Sequence, residues 1–217
     1  MSKSNHLNAP TEIKGWLTTG IIAGLLACIV YPLAIFVPMP NHQLTLIISG
    51  SFGPALTIAS IALGKILLER NWSISAQLGA ISNTIAGALV TAMIIVQLAV
   101  QFSTVPSNDP ALERFVVHRI WDVVLGLDVS FDVFIGLGTI FFGFSMLRDS
   151  RFGKLVGILG ILIGAVVILG FNIYTFPTPP RDAGLFDPGP VSGLWYLIVT
   201  IQIIYFVLKQ KNSKKQI

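Results

Sequence analysis

Six long apolar stretches alternate with short polar loops along this sequence. A bilayer core of about 30 Å needs about 20 predominantly apolar residues for one helical crossing. The stretches that meet this length cover residues 16–38, 43–66, 74–101, 119–147, 155–176 and 191–208. We therefore predict an all-α fold, a polytopic bundle of six transmembrane helices that forms one domain over residues 1–208, with a basic tail over residues 209–217.

The composition supports a membrane protein and excludes a water-soluble globule. Of the 217 residues, 53% are hydrophobic and only 11% are charged, and the mean hydropathy is +0.79. Soluble domains contain about 25% charged residues. The single cysteine, Cys28, lies inside the first apolar stretch, so we expect it to be a packing residue and expect no disulfide.

The basic residues are distributed unequally between the two sides of the predicted bundle. Of the 14 lysines and arginines, only Arg114, Arg119 and Arg181 fall in the connections on one side. Cytoplasmic loops of membrane proteins are enriched in lysine and arginine. We therefore predict that both termini lie in the cytoplasm, in a bacterial inner membrane, and that the net charge of +4 marks orientation and not nucleic-acid binding.

The fourth span is preceded by a helix-start signal at Asp109 and Pro110, which resemble an N-cap and a first helical residue. A helix over residues 110–147 would be about 57 Å long at 1.5 Å per residue, which is too long for one straight crossing. We therefore expect a short interfacial helix, then a bend, then the fourth span.

Small residues recur along three spans at spacings that place them on one helix face. Helices in lipid associate through close backbone approach, so such rows indicate contact faces. We expect these faces to meet other helices, and we include self-association of the protein through them among its partners. The rows are Gly79, Asn83 and Gly87; Gly136, Gly138 and Gly143; and Gly157, Gly160 and Gly164.

Three aspartates interrupt the fourth span, at Asp122, Asp128 and Asp132 in "HRIWDVVLGLDVSFDVFIGLGTIFFGFSML". An aspartate at the centre of an inserted helix costs about 2.5–3.5 kcal/mol on insertion scales. Such residues usually face the bundle interior or a water-filled cavity. Helical periodicity places His118 and all three aspartates within about 120° of arc, on one face.

Asp122 lies near the end of the span, close in sequence to His118 and Arg119. These three residues predict either an interfacial ion pair or a secondary site at the outer end. A metal at His118 and Asp122 would lack a third obvious ligand, so we predict no metal site.

Asp128 and Asp132 lie deeper, where the sequence offers no lysine or arginine partner. Two interpretations are open: a neutral hydrogen-bonded clamp that holds helices together, or a site for a proton, a cation or a lipid-like ligand. The polar residues at matching depth, which we include in the candidate site, are Asn83, Ser51, Thr200 and Gln202.

The second span contains helix-breaking residues at a similar depth, namely Gly50, Gly53 and Pro54. Proline removes a helical hydrogen bond, and glycine permits an unwound turn. Broken helices at mid-membrane recur at substrate and ion sites. The alternative interpretation is a kink that serves helix packing alone.

Familiar catalytic motifs are missing: the sequence has no Walker-type phosphate loop, no HExxH and no G-x-S-x-G. We predict no cofactor. The leading hypothesis is a small binding or transport protein whose aspartate pair handles a proton, a cation or a lipid-like ligand. The alternatives are a non-enzymatic scaffold that binds partners, with the aspartates as helix clamps, and an intramembrane enzyme, which the sequence favours least.

One part of the sequence resembles a known family. The segments "FDVFIGLGTIFFGFSMLRDSRFGKLVGILGILIGAVVIL" and "DPGPVSGLWYLIVTIQII" combine a Phe/Gly-rich span, a basic turn, a Gly-rich span and a loop that leads into "GLWYLI". This pattern, over about residues 132–208, resembles a six-span bacterial membrane family known only as a domain of unknown function. The resemblance implies the six-span fold and no specific activity.

Overall fold

The computed structural model describes residues 9–70, 73–102 and 109–213, and within these ranges all regular structure is helical. The α-helices are α1 (Ala9–Phe36), α2 (His42–Gly50), α3 (Phe52–Leu68), α4 (Ile74–Phe102), α5 (Pro110–Met146), α6 (Gly153–Leu162), α7 (Phe171–Thr175) and α8 (Gly189–Ser213). A π-helical segment, Ile163–Gly170, joins α6 to α7.

Six helical stretches are long and apolar enough to cross a membrane, which confirms the predicted six-helix architecture. Two of the stretches are composite: α2 and α3 form one, and α6, the π segment and α7 form another. The six stretches are Ile13–Ala34, His42–Leu68, Ile74–Phe102, Ala111–Met146, Gly153–Thr175 and Gly189–Gln210. We call the end of the bundle where α2, α5 and α8 begin the cavity end, and the other end the opposite end.

Helix α5 is one continuous helix of 37 residues, so the expected separate interfacial helix is wrong. Asp109 is the N-cap as predicted, and its Oδ1 accepts hydrogen bonds from the backbone N–H of Ala111 (2.9 Å) and Leu112 (3.2 Å). Residues 111–125 contain neither proline nor glycine, so nothing local ends the helix there. At about 55 Å, α5 exceeds the hydrocarbon thickness, and its exposed first turns project at the cavity end.

Helix α8 also extends further than predicted. It continues to Ser213, so the first residues of the predicted basic tail are helical. Residues 214–217 of that tail lie outside the described residues.

The predicted glycine rows lie at helix–helix contacts. A β-carbon on Gly143 would lie 2.7 Å from the carbonyl oxygen of Gly157, and one on Gly164 would lie 2.6 Å from that of Gly136. These distances are too short for any side chain, so α5 packs directly on α6 and the π segment. These glycines therefore contact other helices of the same chain, and the expected self-association stays a prediction.

A buried ion pair and a second, partly exposed one stabilise the opposite end of the bundle. The guanidinium of Arg151 donates to Asp149 Oδ2 (2.6 Å), Glu69 Oε2 (2.7 Å) and the carbonyl oxygen of Ile66 (2.6 Å). The side chains of Arg151 and Asp149 are only 3% and 2% exposed. The basic turn between α5 and α6 is thereby fixed to the end of α3.

A buried apolar cluster packs against residues that line a large cavity. The cluster of Leu56, Ala86, Ile135 and Ile168 is buried, and Phe131 packs against it from the cavity end. The aromatic ring of Phe131 also lines a large cavity. This cluster therefore forms the floor beneath that cavity.

Candidate functional site: an acidic cavity

A cavity of about 990 Å³ lies at the cavity end of the bundle. Its walls come from α1, α2, the start of α3, α4 and α5, together with the connection that joins α7 to α8. Ligand pockets for small organic molecules typically have volumes of about 300–1,000 Å³. The cavity is therefore large enough for such a ligand.

Asp128 and Asp132 both lie on the wall of this cavity. They are four residues apart on α5, which corresponds to about 6 Å of helix rise. Asp132 is only 7% exposed, whereas Asp128 is half-buried. Within the described residues, the side chain of Asp128 has neither a hydrogen bond nor an ion pair, so its carboxylate is unpaired on the cavity wall.

Asn172 holds the deeper aspartate, and sequence reasoning missed it. Its Nδ2 donates to Asp132 Oδ2 (2.7 Å) and to the carbonyl oxygen of Ile168 (2.9 Å). Asn172 is 2% exposed, and its Oδ1 has no hydrogen-bond partner within the described part of the chain. The available signal was a lone amide in the apolar stretch "GFNIYT". The direction in which the Asn172 side chain points depends on the preceding π segment, because a π turn rotates later residues relative to an ideal helix.

Charged residues from the connection between α7 and α8 complete the cavity wall. They are Arg181, Asp182 and Asp187. Asp187 Oδ1 accepts a hydrogen bond from the backbone N–H of Gly189 (2.8 Å), which orients this carboxylate. With the two aspartates of α5, the lining contains four carboxylates and one guanidinium. The cavity thus has an excess of acidic groups.

Aromatic rings form much of the remaining wall. Tyr31 and Phe52 contact each other with a ring-centroid distance of 5.2 Å, and His42 stacks on Phe102 at 3.8 Å. Trp121 also lines the cavity. Aromatic faces attract cations through the ring quadrupole, so this wall suits a positively charged organic group.

Asn83, which we predicted near the aspartates, lies in a different cluster. Its Nδ2 donates to Ser60 Oγ (3.2 Å) and to the hydroxyl of Tyr196. Thr139 donates to its own helix at Ile135, so the Tyr196 hydroxyl donates to Thr139 Oγ1 (3.2 Å). This buried chain connects α3, α4, α5 and α8, and it does not line the acidic cavity.

The other three predicted partners also stand apart from the aspartates. Thr200 donates to the carbonyl oxygen of Tyr196 and borders a separate small cavity. Ser51 donates to the carbonyl oxygen of Ile48, and Gln202 Oε1 is buried without a partner among the described residues. The depth of these residues along their helices was predictable from the sequence. The rotation of each helix about its own axis was not, and this rotation directs the three side chains away from the cavity.

The second span is interrupted where the helix-breaking residues lie. Helix α2 ends at Gly50 and α3 begins at Phe52, with Ser51 between them. Gly53 packs against the backbone of Gly87 on α4, where a β-carbon would collide with the Gly87 carbonyl oxygen. Gly50, Gly53 and Pro54 do not line the cavity, so the geometry favours a packing kink.

The predicted outer-end site forms an exposed ion-pair cluster. Arg119 Nη1 lies 3.1 Å from Asp122 Oδ2, and His118 Nε2 lies 4.0 Å from Asp122 Oδ1. In the described ranges, no group of three His, Cys, Asp or Glu side chains is placed to hold a metal ion.

In comparisons with protein-family models, curated proteins and solved structures, no match was found for this chain. The resemblance over residues 132–208 therefore stays a prediction.

Proposed function

We propose that this protein binds a small positively charged organic ligand in the acidic cavity, as a binding or transport protein of a bacterial inner membrane. The observation that carries the proposal is the unpaired carboxylate of Asp128 on the wall of a cavity of about 990 Å³. A carboxylate inside a membrane protein is costly unless a partner or water compensates it. Arg181 lines the same cavity but forms no ion pair with Asp128, so a cationic ligand would supply the direct partner that the carboxylate lacks among the described residues.

The shape and chemistry of the wall favour an organic cation. Four carboxylates attract positive charge, and the rings of Tyr31, Phe52 and Trp121 offer faces for an alkylammonium group. The apolar floor beneath Phe131 closes the cavity towards the opposite end. For a transporter, this arrangement corresponds to a state with access from the cavity end alone.

The test is ligand binding by purified protein in lipid nanodiscs, measured by isothermal titration calorimetry. Butylamine and tetraethylammonium serve as probes. We expect Asp128→Asn to weaken binding of either cation at least about tenfold, which corresponds to about 1.4 kcal/mol. The thermal unfolding temperature should not fall, because Asp128 has no hydrogen-bond partner to lose and the variant removes an uncompensated charge.

The matched control is Asp122→Asn on the same helix. Asp122 pairs with Arg119 and does not line the cavity, so its replacement should leave the binding constant unchanged. If no cation binds to the wild-type protein, or if Asp128→Asn binds as tightly as wild type, the proposal is wrong.

A second candidate function has support from one observation. The 2.7 Å hydrogen bond from Asn172 to Asp132 joins α7 to α5, as expected for a helix clamp in a scaffold protein. In that case Asp132 serves folding, and Asp128→Asn has no effect on binding of any cation.

A further inference from the structure

Gln97 on α4 lines the acidic cavity together with Asp128. Gln97 is half-buried, and its side-chain amide forms no hydrogen bond within the described residues. An amide has one acceptor oxygen and two N–H donors, and all of these are available to a molecule in the cavity. The cavity wall therefore presents two side chains with unused acceptor oxygens, one neutral and one charged.

The packing of α4 on α5 defines how these two side chains are placed. A β-carbon on Gly79 of α4 would lie 2.7 Å from the ring of Phe142 on α5, and one on Gly138 of α5 would collide with the amide of Asn83 on α4. A step of four residues forward along α4 thus corresponds to a step of four residues back along α5. The two helices are antiparallel, and these contacts give their register.

Continued along both helices, this register places Met93 opposite Asp128, and Gln97 opposite Val124. Gln97 thus lies about one helical turn, or about 5.4 Å, nearer the cavity end than Asp128. Side chains on a helix tilt towards its N-terminus, which lies at the opposite end for α4 and at the cavity end for α5. The side chains of Gln97 and Asp128 therefore lean towards the same level of the cavity.

This arrangement suits one ammonium group between the two side chains. The axes of packed helices lie about 8–10 Å apart, so side chains that face one cavity from neighbouring helices can contact the same small group. A hydrogen bond from N–H to oxygen is about 2.7–3.2 Å long, and one nitrogen can therefore link two oxygens up to about 6 Å apart. A primary ammonium has three N–H donors, which is enough for the Asp128 carboxylate and the Gln97 amide oxygen together.

We infer that the cavity selects a primary ammonium group over a quaternary one, and that Gln97 determines this choice. The inference rests on the proposed function and specifies its ligand class. A quaternary ammonium has no N–H, so it would leave the Gln97 oxygen unpaired beside the ligand. Sites that hydrogen-bond a ligand discriminate strongly against an analogue that lacks the donor. Aromatic faces attract both kinds of cation, so they contribute affinity and little selection.

The experiment compares butylamine with butyltrimethylammonium, in which three methyl groups replace the three N–H hydrogens. Both are cations at neutral pH, and the cavity of about 990 Å³ has room for either, so neither net charge nor access separates them. Each is titrated calorimetrically into the wild-type protein in nanodiscs. We expect butylamine to bind at least about tenfold more tightly than butyltrimethylammonium.

In Gln97→Leu this preference should fall to about threefold or less, because leucine keeps most of the bulk and removes the acceptor. The affinity for butyltrimethylammonium should stay unchanged, which shows that the cavity is intact. Gln97→Glu retains an acceptor oxygen and should keep the preference for butylamine. Gln77→Leu is the matched control, because Gln77 lies near the start of the same helix and does not line the cavity, so the preference should persist.

The contrary outcomes separate this inference from the proposed function. Equal affinities for the two probes, or tighter binding of butyltrimethylammonium, would overturn the inference and leave the proposed function standing. A preference that survives in Gln97→Leu would overturn it as well, since another group would then make the choice. If neither of these probes nor tetraethylammonium binds to the wild-type protein, the proposed function itself is wrong.

Discussion

Asp128 and Asp132 lie one helical turn apart on α5, yet their side chains have different surroundings. Asp132 accepts a hydrogen bond from Asn172, whereas Asp128 has no partner within the described residues. The two residues therefore contribute differently to stability. Loss of the Asp128 charge should weaken binding of the proposed cationic ligand, and loss of the Asp132 side chain should lower the stability of the fold.

We predict that Asp132→Ala lowers the free energy of unfolding by about 1–3 kcal/mol, because it leaves the buried Nδ2 of Asn172 with fewer acceptors. Asp132→Asn should cost less, since its amide oxygen can still accept that hydrogen bond. Thermal and denaturant unfolding in detergent micelles would measure both. Equal losses for the two variants would show that the hydrogen bond is not what stabilises this site.

Arg151 provides the second prediction at this scale. Removal of one partner from a buried ion pair typically costs about 3–5 kcal/mol, since it leaves an uncompensated buried charge. We expect Arg151→Gln to destabilise the protein by this amount through the orphaned Asp149. Arg148→Gln is the control, because Arg148 is exposed in the same turn. Similar unfolding midpoints for the two variants would contradict the proposed role of the buried pair.

At the scale of helices, close backbone contact joins α5 to its neighbours. Gly143 and Gly157 meet with no space for a β-carbon on either residue. This contact fixes the distance between α5 and α6 at these residues.

We predict that Gly143→Ala destabilises the protein by about 1–3 kcal/mol, the usual cost of overpacking. Gly126→Ala is a matched control on the same helix, since a β-carbon there would meet no atom within 4 Å. Its stability should be unchanged or slightly raised. Unfolding in micelles would compare the two, and an equal loss at Gly126, where the added β-carbon meets no atom, would show that overpacking against Gly157 is not the cause.

At the scale of the whole molecule, orientation determines which compartment the cavity faces. The distribution of basic residues predicts that both termini are cytoplasmic, and the cavity end then faces outward. Ala183, in the connection beside the cavity, and Ser150, in the turn at the opposite end, are both exposed.

We predict that a membrane-impermeant maleimide labels Ala183→Cys but not Ser150→Cys in intact cells. The variants are made in a Cys28→Ala background, so the introduced thiol is the single reactive group. Permeabilised cells should show labelling at both positions, which controls for reactivity. Labelling of Ser150→Cys alone in intact cells would reverse the topology, and the cavity would then open to the cytoplasm.

The sequence by itself determined the number of spans, the N-cap at Asp109 and the rows of small residues at helix contacts. These features depend on local properties. Hydrocarbon forces each apolar stretch to satisfy its own backbone hydrogen bonds, so length and hydropathy suffice to predict a helix. Depth along each span followed from the rise per residue, which is why Asp128 and Asp132 could be placed together.

Only the tertiary structure decided which polar residues share a site. Asn83 and Thr200 matched the aspartates in depth but belong to other surroundings. Asp182 and Asp187 line the cavity with the aspartates, and Asn172 donates a hydrogen bond to Asp132. The rotation of a helix about its axis depends on the packing of its neighbours, on the π segment before α7 and on the course of the connection after it. No local pattern in the sequence predicts the packing of neighbouring helices, the position of the π segment or the course of the connection. Each of these features depends on contacts between residues that are distant along the chain.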